Sequence, residues 1–207
     1  MLTPQAVKIR PDCGKIVMHG KKPITSGIHM RKNHIATPLN EASLNDLALS
    51  YVSRYATSRA KLFAYLQRKL RERGWGGERP ADPDAVADRM VELRYIDDGA
   101  YAAMKADAMV RRGYGKRRLS DIYFRDGIAE DDRAEADRLA EDGRWDAAVT
   151  FARKKRVGAF APAPLDPDQQ RRALAAFLRA GHDMALARLL ISLEPGADID
   201  QYRPDAD

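Results

Sequence analysis

Apolar residues return at helical spacing in nine successive stretches between Leu44 and Leu193, and the punctuation between them recurs in threes. That recurrence constrains the chain more than any other feature. Leu44, Leu47, Ala48, Tyr51, Val52 and Tyr55 fall on one face of a helix. Thr57 or Ser58 can cap the next helix, which carries Leu62, Leu66 and Leu70 and stops at Gly74. Asp82-Pro83-Asp84 opens a third, with Val86, Met90 and Leu93 along its buried edge. The order then repeats. Asp97 or Asp98 caps a helix with Tyr101, Lys105, Ala108, Met109 and Arg112 on one side. A second helix carries Leu119, Ile122 and Tyr123 to Gly127, and a third runs from about Asp131 to Asp142 with Ala134 and Leu139 as a thin apolar face. The last round has Trp145, Ala148, Val149 and Ala152, then a second Asp-Pro-Asp at Asp166-Pro167-Asp168 leading to Leu174, Phe177, Leu178 and Gly181, then Leu186, Leu189, Leu190 and Leu193.

The pattern predicts an all-α fold built as an extended array of three tandem three-helix repeats, at 42–96, 97–143 and 144–195. A proline-rich connector at 158–167 interrupts the third, and 196–207 is a tail. In this register Leu62, Leu66 and Gly74-Trp75 match Leu119, Tyr123 and Gly127-Ile128, and then Leu174, Leu178 and Gly181-His182. No stretch alternates with the period of a strand. Residues 1–40 hold four prolines and three glycines and no sustained period, so they read as a disordered basic arm, with Met18 and Met30 as alternative starts.

Charge divides along the chain. The protein has 36 Lys and Arg against 30 Asp and Glu, a net charge of +6. Seven of the basic residues and Asp12 alone of the acids lie in the first 40 positions, which leaves 29 of each in the remainder. The basic excess therefore belongs to the arm. The neutral body is segregated instead. Arg54, Arg59, Lys61, Arg68 and Lys69 gather in the first repeat, Arg111, Arg112, Lys116, Arg117 and Arg118 in the second, and Arg153, Lys154, Lys155 and Arg156 in the third. Each group lies near the junction of the first and second helix of its repeat. Stacked repeats would bring them into a row that attracts an acidic surface or a nucleic-acid backbone.

Groups for catalysis do not converge. Cys13 stands alone, His19, His29 and His34 are irregularly spaced in the arm, and His182 follows a helix-ending glycine, where it reads as a capping or packing residue. The chain holds no CxxC or HExxH spacing and no phosphate loop after a strand, so neither an enzyme, a metal nor a cofactor is expected. A single cysteine, no apolar run of about 20 residues and no secretory h-region lead to the expectation of a cytoplasmic, non-membrane protein.

Arg94-Tyr95-Ile96-Asp97-Asp98-Gly99-Ala100-Tyr101-Ala102 resembles the YIDDxxFA signature of the RecX family. Ser58, Leu62 and Leu66 are similar to that family's first-repeat RSxxELxxxL segment. Gly113-Tyr114-Gly115-Lys116-Arg117-Arg118-Leu119, ending in Gly127-Ile128, is similar to its GxGxxRIxxELxxKGI segment. The resemblance covers about residues 44–193. Lys61 stands where the family has an acid, Thr57 where an Arg is common, and Tyr123 where a leucine is usual, and the 158–167 connector is long. The resemblance implies that the array is curved, and that the protein is a non-enzymatic regulator, without cofactor, that sits in the groove of the RecA–DNA filament and damps ATP hydrolysis, strand exchange and coprotease activity. Its partners would be the RecA filament and, weakly and without sequence preference, single- or double-stranded DNA, and it would act as a monomer. The residues leave open a second reading, a helical DNA-binding module or transcriptional regulator that contacts the phosphate backbone.

Overall fold

The computed structural model describes residues 37–204, and everything below concerns these residues. Nine α-helices lie among them: α1 Glu41–Val52, α2 Arg59–Arg73, α3 Pro83–Glu92, α4 Asp98–Arg111, α5 Lys116–Asp126, α6 Ala134–Asp142, α7 Arg144–Lys155, α8 Pro167–Ala180 and α9 Met184–Ser192. Short 3₁₀ turns at Asp131–Arg133, Gly158–Phe160 and Ile199–Tyr202 complete the regular structure, and no strand forms among the described residues.

The helices begin where local chemistry can satisfy their first N–H groups. Asn40 and Ser43 close a reciprocal capping box on α1, and Asp166 and Gln169 do the same on α8. Ser58, Asp82, Asp97 and Asp183 cap α2, α3, α4 and α9 by accepting from the backbone N–H three residues on. The α5 start is different: Gly115 has no capping side chain. Its N–H donates instead to the Ala180 carbonyl at 2.9 Å, and the Arg117 N–H to the Gly181 carbonyl at 3.2 Å. The unpaired carbonyls at the end of α8 thus satisfy the unpaired donors at the start of α5.

Three buried clusters form, each from consecutive helices. Leu39, Leu44, Ala48, Leu62, Leu66, Ala87, Met90 and Ile96 make the first, from α1–α3 and flanking residues. Tyr101, Ala102, Ala106, Met109, Leu119, Tyr123, Ile128, Ala136 and Ala140 make the second. The third centres on Trp145, Phe151, Phe177, Leu186 and Leu190. Tyr114 packs against the second and third together.

Three details depart from the sequence expectations. The ordered fold starts before position 42. Leu39 is fully buried and brackets Gly74-Trp75-Gly76 with two backbone hydrogen bonds, at 2.9 and 2.8 Å, and Arg73 donates to the Thr37 carbonyl. Second, the buried face of α6 runs through Ala136 and Ala140, with Ala134 exposed, because Ala102 and Ala106 of α4 offer a surface low enough for the two helices to lie close. Third, the match expected between the ends of α5 and α8 shifts by one. The Ile128 N–H donates to the Tyr123 carbonyl and the His182 N–H to the Phe177 carbonyl, around left-handed Gly127 and Gly181. Phe177, fully buried, is therefore the counterpart of Tyr123, and Leu178 that of Phe124.

Candidate partner-binding surface

The junction between the first and second clusters is polar. The Ser58 hydroxyl donates to the Asp126 carbonyl at 2.6 Å, and the Asp98 carboxylate accepts the Arg59 N–H at 2.9 Å. The Ile96-Asp97-Asp98 signature thus has three duties: Ile96 is buried in the first cluster, Asp97 caps α4, and Asp98 satisfies the first turn of α2. Beneath it the Asp126 carboxylate, 3% exposed, accepts from the Tyr101 hydroxyl at 2.7 Å and from Arg125 at 3.1 Å, with the Lys61 ammonium 3.5 Å away. Burial alone would raise the Asp126 pKa; the hydrogen bonds from Tyr101 and Arg125 and the Lys61 charge outweigh it and hold it below the usual range. Burial opposes the Lys61 charge in turn, and Tyr101 and Asp126 overcome that and raise its pKa.

Of the basic side chains expected at a binding edge, six are in ion pairs inside the chain. Arg59 reaches Asp84 at 2.8 Å and Asp88 at 2.6 Å, and its charge is reinforced mainly by the Asp88 hydrogen bond. Lys61 belongs to the Asp126 network. Arg68 and Lys69 share Glu72, Arg111 meets Asp107 at 2.6 Å, and Lys116 meets Glu141 at 3.4 Å. Apart from the Lys61 contact with buried Asp126, these exposed pairs contribute under about 1 kcal/mol each, but they do neutralise the charge offered outward. Among the described residues, Arg54, Arg112, Arg117, Arg118, Arg153, Lys154, Lys155 and Arg156 have no carboxylate within 4 Å.

The second and third groups meet in space. The Lys154 ammonium donates to the Arg112 carbonyl at 3.0 Å, across 42 positions of sequence. Arg118 covers the Tyr114 ring at 4.7 Å and approaches the Arg179 carbonyl at 3.5 Å. A cleft of about 290 Å³ opens there, lined by Arg117, Arg118, Asp121, Leu178, Arg179 and Gly181. Arg179 was not singled out in the sequence. It joins the basic surface only because the end of α8 docks on the start of α5, and no local pattern carries that information. Arg54 lies apart, on the turn after α1.

His182 lies at the same junction. It is buried, its Nε2 is 3.1 Å from the Gly113 carbonyl, and its ring sits 5.4 Å from Phe151 and 5.3 Å from Phe177. Burial lowers its pKa, against the Gly113 hydrogen bond and the Asp183 charge. The unfolded chain therefore binds this proton first. The stability held above the ordinary His value of 6.5 declines as pH falls below it, toward the folded value. Urea unfolding at pH 7.5 and 5.5 should show that decline, and His182→Gln should remove much of it; an equal decline in the variant would assign it elsewhere.

Cys13, His19, His29 and His34 lie outside the described residues, as does most of the arm. Among the described residues no three His, Cys, Asp or Glu gather as a metal site, and no helix is long and apolar enough to cross a membrane.

These features define an all-helical protein with a basic surface assembled from helix ends. No family model matches the chain. It is 32% identical over 160 residues to the regulatory protein RecX of Myxococcus xanthus (strain DK1622), covering 73% of this chain and 86% of that relative. It is 30% identical over 134 residues to the regulatory protein RecX of Agrobacterium fabrum, covering 62% of this chain and 70% of that one. The chain belongs to the RecX family of regulatory proteins.

Proposed function

We propose that this protein is a cytoplasmic, non-enzymatic regulator that binds as a monomer in the groove of the RecA–DNA filament and slows its ATP hydrolysis, strand exchange and coprotease activity. The observation that carries the reading is a set of unpaired cations where helix ends meet: Lys154 donates to the Arg112 carbonyl, and Arg117 and Arg118 line a cleft beside Arg179, none of them with a carboxylate within 4 Å among the described residues. Arginine at such a surface can hold carboxylate or phosphate with paired hydrogen bonds. Three separate buried clusters in chain order support a tandem three-helix array at 42–96, 97–143 and 144–195, and a repeating protein suits a repeating filament. Several weak contacts on one chain then add through effective concentration.

The test is RecA ATPase on single-stranded DNA, titrated with the full chain, with a chain starting at Ala36, and with the combined Arg112→Glu, Arg117→Glu, Arg118→Glu variant. A start at Ala36 keeps buried Leu39 and the Asn40 cap. Both unsubstituted chains should inhibit well below the DNA concentration. The variant should need on the order of tenfold more protein, with unchanged circular dichroism. No inhibition by either unsubstituted chain would reject the reading. DNA binding without inhibition, steeply salt-dependent, would favour a phosphate-binding module.

A further inference from the structure

A second surface lies on the third cluster, between the proline-rich connector and α8. Val157, Pro162, Leu165 and Ala173 line an open groove of about 510 Å³. Lys155, Arg156 and Arg172 stand on its rim, and no carboxylate comes within 4 Å of any of them among the described residues. The two acids nearest in sequence are engaged: Asp166 caps α8 through Gln169, and Asp168 pairs with Arg171. The groove therefore offers an apolar floor under an uncompensated positive rim.

Arg156 adds an independent observation. It ends α7 in the left-handed region, with φ 54°, a place that glycine takes at far lower cost. Basic residues in the last turn of a helix offset its negative end, which accounts for Arg153, Lys154 and Lys155. It does not account for an arginine on the strained residue itself. Only Arg94 and Arg156, among described residues other than glycine, have positive φ. A strained backbone that keeps a long cationic side chain directs attention to what that side chain meets.

We infer that this groove binds an acidic peptide segment carrying one bulky apolar side chain, with that side chain on the Val157–Leu165–Ala173 floor and flanking carboxylates against Arg156, Lys155 and Arg172. The connector prolines hold the rim in shape before binding, which lowers the ordering cost. A nucleic-acid strand fits less well, since no aromatic ring lines the groove for bases to stack on, and Phe160 lies under Arg153 at 5.0 Å. The site is separate from the Arg117–Arg118 cleft, and its test contains no RecA, so it stands or falls independently of the filament reading.

The experiment is fluorescence anisotropy of the full chain with a short labelled peptide of Asp and Glu around a single Phe. The same peptide with Ala for Phe and an oligothymidylate are the comparison probes. Arg156→Gly removes the cation while relieving the backbone, so the variant keeps its fold; Arg172→Gln tests the opposite rim. The Phe peptide should bind at least tenfold tighter than the Ala peptide, and each variant should weaken it severalfold with no loss of thermal midpoint. Equal binding of the two peptides, or binding unchanged by both variants, would overturn the proposal. So would oligothymidylate binding with the same loss in Arg156→Gly, which would reassign the groove to nucleic acid.

Discussion

Gly115→Ala is expected to loosen the junction between the second and third clusters, at a cost of about 3 kcal/mol. The Gly115 backbone, at φ −84° and ψ 167°, is open to any residue, so the cost is purely one of contact. A Cβ there would lie 2.2 Å from the Gly181 carbonyl oxygen and 2.5 Å from the His182 nitrogen, both backbone atoms that no rotamer change can move. The helix ends must separate, and the bonds from Gly115 to Ala180 and from Arg117 to Gly181 are lost together. Thermal unfolding should fall by roughly 10 °C, with faster proteolysis in the Arg112–Arg118 turn. Gly99→Ala is the control. A Cβ at that helical position meets nothing nearer than 3.4 Å, so alanine there should be neutral or stabilising. Equal effects of the two substitutions would refute the contact argument. The junction also carries the Arg117–Arg118 cleft, so under the proposed function Gly115→Ala should weaken RecA inhibition without altering any cation.

Asp126→Ala should cost about 3 kcal/mol, by a different route. It leaves the buried Tyr101 hydroxyl without its acceptor and takes the counter-charge from Lys61. Lys61 is 38% exposed and can turn to water, so most of the loss is assigned to Tyr101 and to the void left behind. Asp126→Asn separates charge from shape. The Asp126 pKa is depressed in the folded protein, so its charge contributes fully above the ordinary value of 3.8 and the contribution disappears as pH falls through the folded value. Wild type and Asp126→Asn should therefore differ in urea unfolding at pH 7 and converge in acid. A gap independent of pH would mean that the carboxylate charge plays no part in the junction.

These two substitutions act at unlike joints. The first and second clusters meet through Ser58, Asp98, Lys61, Tyr101 and Asp126, all polar. The second and third share Tyr114 and buried His182, and α4 packs on α7. The sequence shows the joints as similar, since Gly127-Ile128 and Gly181-His182 end their helices alike. Their chemistry differs because Ser58 offers a hydroxyl at one joint where Gly115 offers only backbone at the other.

Helix content, most helix starts and the YIDD segment were legible in the sequence because they depend on neighbours three or four positions away. Asp82-Pro83 and Asp166-Pro167 cap helices wherever they stand, and Ile96-Asp97-Asp98 marks a boundary by its own chemistry. Membership of the RecX family was legible for the same reason. The basic surface was legible only in outline. Arg112 and Lys154 read alike as exposed cations, and so did Arg59 and Lys116, which the fold places against Asp84, Asp88 and Glu141. Arg179 became part of the surface through the docking of α8 on α5, whereas Phe177 took the place expected of Leu178 through the local turn around Gly181. A cap is local and its partners are set by the chain's own turn, whereas the charge a surface offers depends on which side chains meet across 25 to 61 positions, and only tertiary packing selects those pairs.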